Sequence, residues 1–320
     1  AAISGSGTAT VAAMGSILIP AMVAQGYDAG FSSALSAISG SLGTVIPPSI
    51  TFIIYGMITG ESIGDLFLSG IVPGLIFGFM LCIMVFIKSK KNGWKGETQR
   101  ASLKEIGRLF LDTIWGLLSP VIVLGGIYSG LFTPTEAAAV AVVYSLIVGI
   151  FIYKELRLAE LKETLFSTAK TTGMILLIIM NAGIFSWVLT QQGIAASLTE
   201  MALALTDNKY IMLVIINIVF LCAGCVMDNT SALYILVPII MPIAKALDIN
   251  MIQLGVILVL NLSIGQVTPP VGPNLYVAAD IGKVKFEEIC RKMVPLLLMS
   301  LLALLCITYI PALSLCLIPS

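Results

Sequence analysis

Two charge-free runs, residues 29–60 and 249–279, are too long for one membrane crossing and too apolar to face water. As straight helices each would reach roughly 47 Å at ~1.5 Å per residue, whereas the hydrocarbon core is about 30 Å thick. Both carry a double proline near the middle, Pro47-Pro48 and Pro269-Pro270. Proline lacks the N–H a helix needs and clashes with the carbonyl four residues back. Each run therefore reads as a helix broken halfway. The rest of the chain is of the same character: 58% hydrophobic and 11% charged, against roughly 25% charged in soluble domains. An all-α polytopic membrane protein follows, because barrel strands would alternate and be punctuated every ~10 residues.

Runs 66–87, 113–135, 137–153, 171–199 and 293–320 each read as a single crossing. Runs 210–227 and 229–244 are short and separated by one charge, Asp228. That pattern fits a re-entrant hairpin that enters the membrane and turns back. Leu103 to Phe110 and Leu156 to Phe166 alternate charged and apolar positions, as expected of helices on the cytoplasmic interface; a solvated loop is the alternative. Gly70, Gly74 and Gly78 form a ridge suited to close helix packing. Thr133-Pro134-Thr135-Glu136 reads as a helix start with proline near its first position.

The chain also repeats itself. Shifted by 222 residues, 6–75 aligns without a gap on 228–297, with 13 of 70 positions identical. Pro20, Pro47, Pro48 and Pro73 fall on Pro242, Pro269, Pro270 and Pro295, and Thr8, Ser41, Gly43 and Gly60 fall on Thr230, Ser263, Gly265 and Gly282. Cytoplasmic loops are rich in Lys and Arg. Segment 88–108 holds seven such residues, and Lys283, Lys285, Arg291 and Lys292 follow the second broken helix. Both groups lie inside only if 210–246 is a hairpin, and the two repeats are then inverted. The counterpart of arm 210–226 would fall at or before residue 4, so the chain is expected to begin inside its first hairpin.

Several chemistries lack their residues. Seventeen basic residues balance seventeen acidic ones, so no net field points to nucleic acid. The absence of histidine removes imidazole ligands, triads and proton relays. No Gly-rich loop ending in Lys-Ser or Lys-Thr is present for ATP, which leaves an ion gradient as energy source. Cys222 and Cys225 form a CxxC inside an apolar run with no second pair nearby, a poor redox or metal signal. An intramembrane enzyme would want clustered acids at a membrane face, and none is found.

The breaks carry the chemistry. Pro47 and Pro48 deprive the carbonyls of Gly43 and Thr44 of helical partners; Pro269 and Pro270 do the same to Gly265 and Gln266. In hydrocarbon such oxygens survive only inside protein or around a polar ligand, and with nearby hydroxyls they suit a hard cation such as Na+. The alternative is a proline kink repaired by neighbouring helices. The hairpin tips, Ser4 to Thr8 and Met227 to Ser231, resemble helix N-caps. A helix N-terminus at mid-membrane offers free N–H groups to an anion. Asp228 needs a cation or several donors at that depth, and is expected to serve a cation site or order the tip. Lys245 is its possible ion-pair partner, though it sits near the hairpin exit. Broken helices in inverted repeats are a recurrent transporter architecture with a midplane site.

Ser4-Gly5-Ser6-Gly7-Thr8-Ala9, the run from Gly40 to Ile50, Met227-Asp228-Asn229-Thr230 and the run from Ile264 to Gly272 resemble the large membrane subunit of TRAP (tripartite ATP-independent periplasmic) transporters over essentially the whole chain. The resemblance implies an elevator-type ion-transporter-superfamily fold in the bacterial inner membrane, importing an anionic organic solute with Na+. It also implies two partners, a small four-helix membrane subunit and a periplasmic binding protein, besides membrane lipids. Transport-domain repeats would occupy 1–66 and 210–292, and scaffold and linking helices 67–209 and 293–320. One Na+ site would use Ser4, Gly43, Ile46 and Pro48, and the other Gly224, Gly265, Thr268 and Val271. Substrate would lie near Ser6, Thr44, Asp228, Asn229, Thr230, Gln266 and Asn274. A proton-coupled carboxylate transporter or antiporter of related fold is the alternative, but it would want several buried acids.

Overall fold

The computed structural model describes residues 5–94 and 102–318. These are helical, with no strand among the described residues. In chain order the helices are α1 (Gly7–Ala24), α2 (Ala29–Ser41), α3 (Ile50–Thr59), α4 (Ile63–Asn92), α5 (Leu103–Tyr128), α6 (Pro134–Ile147), α7 (Leu158–Gln191), α8 (Ile194–Leu205), α9 (Lys209–Val226), α10 (Asn229–Ala246), α11 (Met251–Gly265), α12 (Pro273–Gly282), α13 (Phe286–Tyr309) and α14 (Ala312–Leu315). Eight of the described helices are long and apolar enough to cross a membrane.

The repeat is visible as an order of elements. Helix starts at 7, 29, 50 and 63 answer to 229, 251, 273 and 286, each offset by 222 or 223. Both proline pairs interrupt helices as expected. A single 3-10 turn and the segment up to Ser49 separate α2 from α3, and residues 266–272 separate α11 from α12. The Pro47-Pro48 and Pro269-Pro270 peptide bonds are both cis. α9 and α10 are joined by Met227 and Asp228 alone and pack on each other, as a hairpin should.

Contacts divide the chain into two compact units, residues 1–96 with 182–320, and residues 97–181. Within the first, the repeats interlock: α2 packs on α1, α12 and α13, while α11 packs on α9, α3 and α4. Helices α4 and α13, assigned by resemblance to the scaffold, thus lie directly against the broken helices. α11 is the centre of this unit. Every residue from Gln253 to Gly265 is buried, so it has no lipid-facing side. At the start of α2, Asp28 caps the helix through Phe31 N (2.8 Å) and pairs with Lys292 of α13 (2.9 Å). The Trp94 ring packs tilted against Tyr27 and Phe31, with centroids 5.0 and 5.2 Å away. Partial burial pushes the Asp28 carboxyl up, but the bonds from Lys292 and Phe31 and the lysine's charge outweigh it, leaving it below the usual carboxylate value.

The second unit holds α5, α6 and α7 as far as residue 181. α5 and α6 both begin with complete capping boxes, Ser102 with Glu105 and Thr133 with Glu136, and Pro134 stands in the first turn as the sequence suggests. α6 ends in a π-helical turn at residues 148–152. That turn delivers Tyr153, whose hydroxyl donates to Asp112 O (3.0 Å) and accepts from Gly116 N (3.3 Å). It is thus inserted into the ladder of α5, one turn before Pro120 withdraws another bond. Tyr144 donates to Trp115 O at 2.6 Å beside it.

Three expectations change. Neither 103–110 nor 156–166 forms a separate interfacial helix: 103–110 opens α5, and from residue 158 the second stretch opens α7 without interruption. Helical i,i+4 bonding has no proline or cap to stop it there. At 34 residues, α7 reaches roughly 51 Å and outruns a ~30 Å core; the excess falls where Glu160, Lys162, Glu163 and Lys170 sit. Run 171–199 is not one helix either, because Gly193, in the left-handed region at φ 67°, ends α7 and starts α8. Ile310 and Pro311 divide run 293–320 into α13 and α14.

Candidate functional site

The two breaks meet. The Thr44 hydroxyl of the first bonds the Ser263 hydroxyl in the last turn of α11, just before the second. Thr44 Oγ1 also reaches Ser41 O (2.8 Å), and Ser263 Oγ reaches Val259 O (2.6 Å). Two hydroxyls own two protons for these three contacts, so lone pairs are concentrated at the crossing. Reciprocally, Asn274 Nδ2 donates to Ser41 Oγ at 3.0 Å and lies 3.4 Å from Gln266 Oε1. Asn274 is fully buried, and its Oδ1 finds no partner among the described residues.

The N-terminus of α1 aims at this cluster. Ser6 holds the N-cap position without capping through its side chain, which lies 3.4 Å from the Thr8 hydroxyl. Gly7 brings the backbone close: a methyl there would sit 2.5 Å from Gln266 Oε1 and 3.0 Å from Asn274 Nδ2, so both amides would have to shift. The start of α1 next to Ser6 thus lies against Gln266 and Asn274, and Thr44 and Asn274 both bond Ser41. Gly5, at φ +60°, leads into this turn, and a methyl there would lie 3.2 Å from Pro48 O, so the first tip touches the first break. Gly43 is buried and Ile46 half-buried beside it. Ser4 falls outside the described residues.

The second tip is built differently. Asp228 is exposed and caps α10, accepting from Ser231 N (3.1 Å) and Ser231 Oγ (2.6 Å). This is the tip-ordering role, and Lys245 makes no ion pair with it among the described residues. Asn229 is buried, and neither amide atom has a partner among the described residues. Thr230 is half-buried. No hydrogen bond among the described residues joins Asp228, Asn229 or Thr230 to the Gln266–Asn274 cluster. Gly224, however, lies on the second break, where a methyl on Gly265 would meet Gly224 Cα at 2.5 Å. Thr268 bonds Ile264 O at 2.8 Å, while Val271 is 40% exposed.

The freed carbonyls are less orphaned than the prolines imply. Ser49, the N-cap of α3, donates to Thr44 O at 2.5 Å; Thr268 N donates to Gly265 O at 2.9 Å; Asn274 N donates to Gln266 O at 3.2 Å. Local hydroxyls and the turn's own amides replace the lost ladder. Each oxygen keeps a second lone pair, so coordination stays open to it. The sequence reading missed a further buried set: Asn217, Gln253, Asn261 and Thr308 link α9, α11 and α13 through bonds of 2.7–3.1 Å. Their signal was present, since isolated carboxamides inside apolar runs mark function or packing in membranes.

This geometry, two broken helices crossing under a helix N-terminus, has a sequence counterpart. Residues 1–313 match the family model described as "Tripartite ATP-independent periplasmic transporter, DctM component". The chain belongs to the DctM family. Among its relatives, the isethionate TRAP transporter permease DctMQ of Oleidesulfovibrio alaskensis is 44% identical over 98% of this chain. The C4-dicarboxylate large permease DctM of Pseudomonas aeruginosa is 44% identical over 99% of it, and the sialic acid large permease SiaM of Vibrio cholerae 36% over 98%. The match spans 49% of the first relative's own length, and 74% and 73% of the other two. DctM-family relatives are inner-membrane transport permeases, not enzymes.

Proposed function

We propose that this chain is the translocating subunit of a Na+-coupled importer of organic acid anions. The observation that carries the reading is the crossing of the two breaks. There an α1 N-terminus without a side-chain cap faces a buried cluster of hydroxyls, amides and carbonyls, and no Lys or Arg is buried among the described residues. An anion held there is neutralised by helix N–H groups and by cations lodged on the break oxygens. Ser4, Gly43, Ile46 and Pro48 would serve one Na+, and Gly224, Gly265, Thr268 and Val271 the other. Substrate would lie between the tips at Ser6, Thr44, Gln266 and Asn274, with Asp228, Asn229 and Thr230 closing from the second.

Na+ is favoured over H+ because no Asp or Glu is among the buried residues described. A periplasmic binding protein would deliver the solute and a small membrane subunit would complete the scaffold. Movement would be of the elevator type, with repeats 1–66 and 210–292 carrying the site past helices of 67–209 and 293–320. C4-dicarboxylates, isethionate and sialic acid are the solutes to try, on the names of the relatives. In proteoliposomes holding the full permease with its partner subunits, Asp228→Ala and a Pro269→Ala/Pro270→Ala double variant are expected to abolish Na+-dependent uptake. Undiminished uptake by both would refute the site.

A further inference from the structure

Where Gly224 of α9 meets Gly265 of α11, backbone touches backbone. A methyl on either glycine would lie within 3.1 Å of the other's main chain. With no side chains at the contact, the separation of the two helices must be set by groups on either side of it. The first carboxamides lie seven residues earlier on α9 and four earlier on α11. Asn261 Nδ2 donates to Asn217 Oδ1 at 2.7 Å and to Ile257 O at 2.8 Å. Asn217 Nδ2 donates on to Thr308 Oγ1 of α13 at 3.1 Å, and Gln253 Nε2 to Thr308 O at 3.1 Å. Asn261 is fully buried, and its Oδ1 has no partner among the described residues. An unsatisfied buried carbonyl is destabilising, and apolar side chains of the same shape at both positions would be close to neutral. What the amide supplies is therefore a directional bond of fixed length.

We propose that Asn261 is a positioning residue for the second cation site. Its bond to Asn217 fixes how closely α9 approaches α11, and so where the Gly224 and Gly265 oxygens stand. Thr308 holds Asn217 from the far side, so the amide pair cannot rotate away. The inference rests on the Na+ reading above, which names Gly224 and Gly265 as ligands.

The test needs no solute. Detergent-purified full-length permease is melted across a NaCl series balanced with choline chloride, and the midpoint of Na+ stabilisation gives the apparent Kd. Asn261→Leu, Asn217→Leu and the double variant are each expected to raise that midpoint about three- to tenfold. The double variant should move the midpoint no further than the singles, because the Asn261–Asn217 bond is already lost in each. A merely structural role would lower the melting temperature in choline and leave the Na+ midpoint where it was; that result overturns the proposal. Asn217→Ser, a milder change whose hydroxyl is too short to reach Asn261, should give the same shift, and an unmoved midpoint there also overturns it. If the parent itself shows no stabilisation by Na+ over choline, the Na+ reading fails, and this inference with it.

Discussion

Gly265→Ala tests the glycine contact most directly. A methyl at Gly265 would stand 2.5 Å from Gly224 Cα and 2.6 Å from its carbonyl carbon, where unbonded carbons rest at about 3.5–4.0 Å. Both neighbours are main chain, so no side chain can swing aside, and the helices must part by roughly 1 Å. Overpacking of this kind costs about 1–3 kcal/mol, and the upper end applies because α11 is enclosed on every side. For a unit of this size that corresponds to a loss on the order of 5–10 °C in melting temperature. Gly78→Ala is the control. A methyl there meets only Leu42 Cδ1, at 3.8 Å, an ordinary contact, and exchanging glycine for alanine inside a helix gains up to ~1 kcal/mol. Thermal unfolding of both variants in detergent, followed by tryptophan fluorescence, separates the cases. Gly265→Ala melting with the parent, or Gly78→Ala falling as far, would refute the reasoning.

The Asp28–Lys292 pair makes stability depend on pH. A carboxyl held below its unfolded value of about 3.9 stabilises above that pH and loses the contribution as pH falls through the folded value. Lys292→Met should therefore lower the melting temperature at neutral pH, and the gap should close in acid. Both side chains are about a third exposed, so the effect stays under about 1 kcal/mol. Tyr153→Phe removes the hydroxyl from the α5 ladder and should destabilise by about 1 kcal/mol, with faster amide exchange at Gly116; unchanged exchange would mean the ladder closes without it.

Much of this fold can be read from residues alone, because the constraints are local. Proline breaks a helix wherever it falls, so both interruptions and the 222-residue register follow from four mirrored prolines. Thr133 and Glu136 announce their helix start by spacing. The hairpin turn at Asp228 follows from one charge between two short apolar runs. What escaped depends on partners distant in sequence. Nothing near Thr44 says that Ser263 will face it, nor near Asn217 that Asn261 and Thr308 will. The orphaned carbonyls were overestimated for a related reason: proline chemistry counts the bonds removed, and only the folded turn shows Ser49, Thr268 and Asn274 N supplying others. Continuity of α5 and α7 was missed because amphipathic spacing looks alike on an interface and at the protruding end of a crossing.

Helix α11 has no open side, and this limits where movement can occur. A rod enclosed over residues 253–265 cannot slide or roll alone, so under the proposed movement α3 and α9 share its displacement, and its contacts with α4 and α13 are where the moving part would slip past the scaffold. The polar crossing at the end of α11 would then travel as cargo in a rigid carriage.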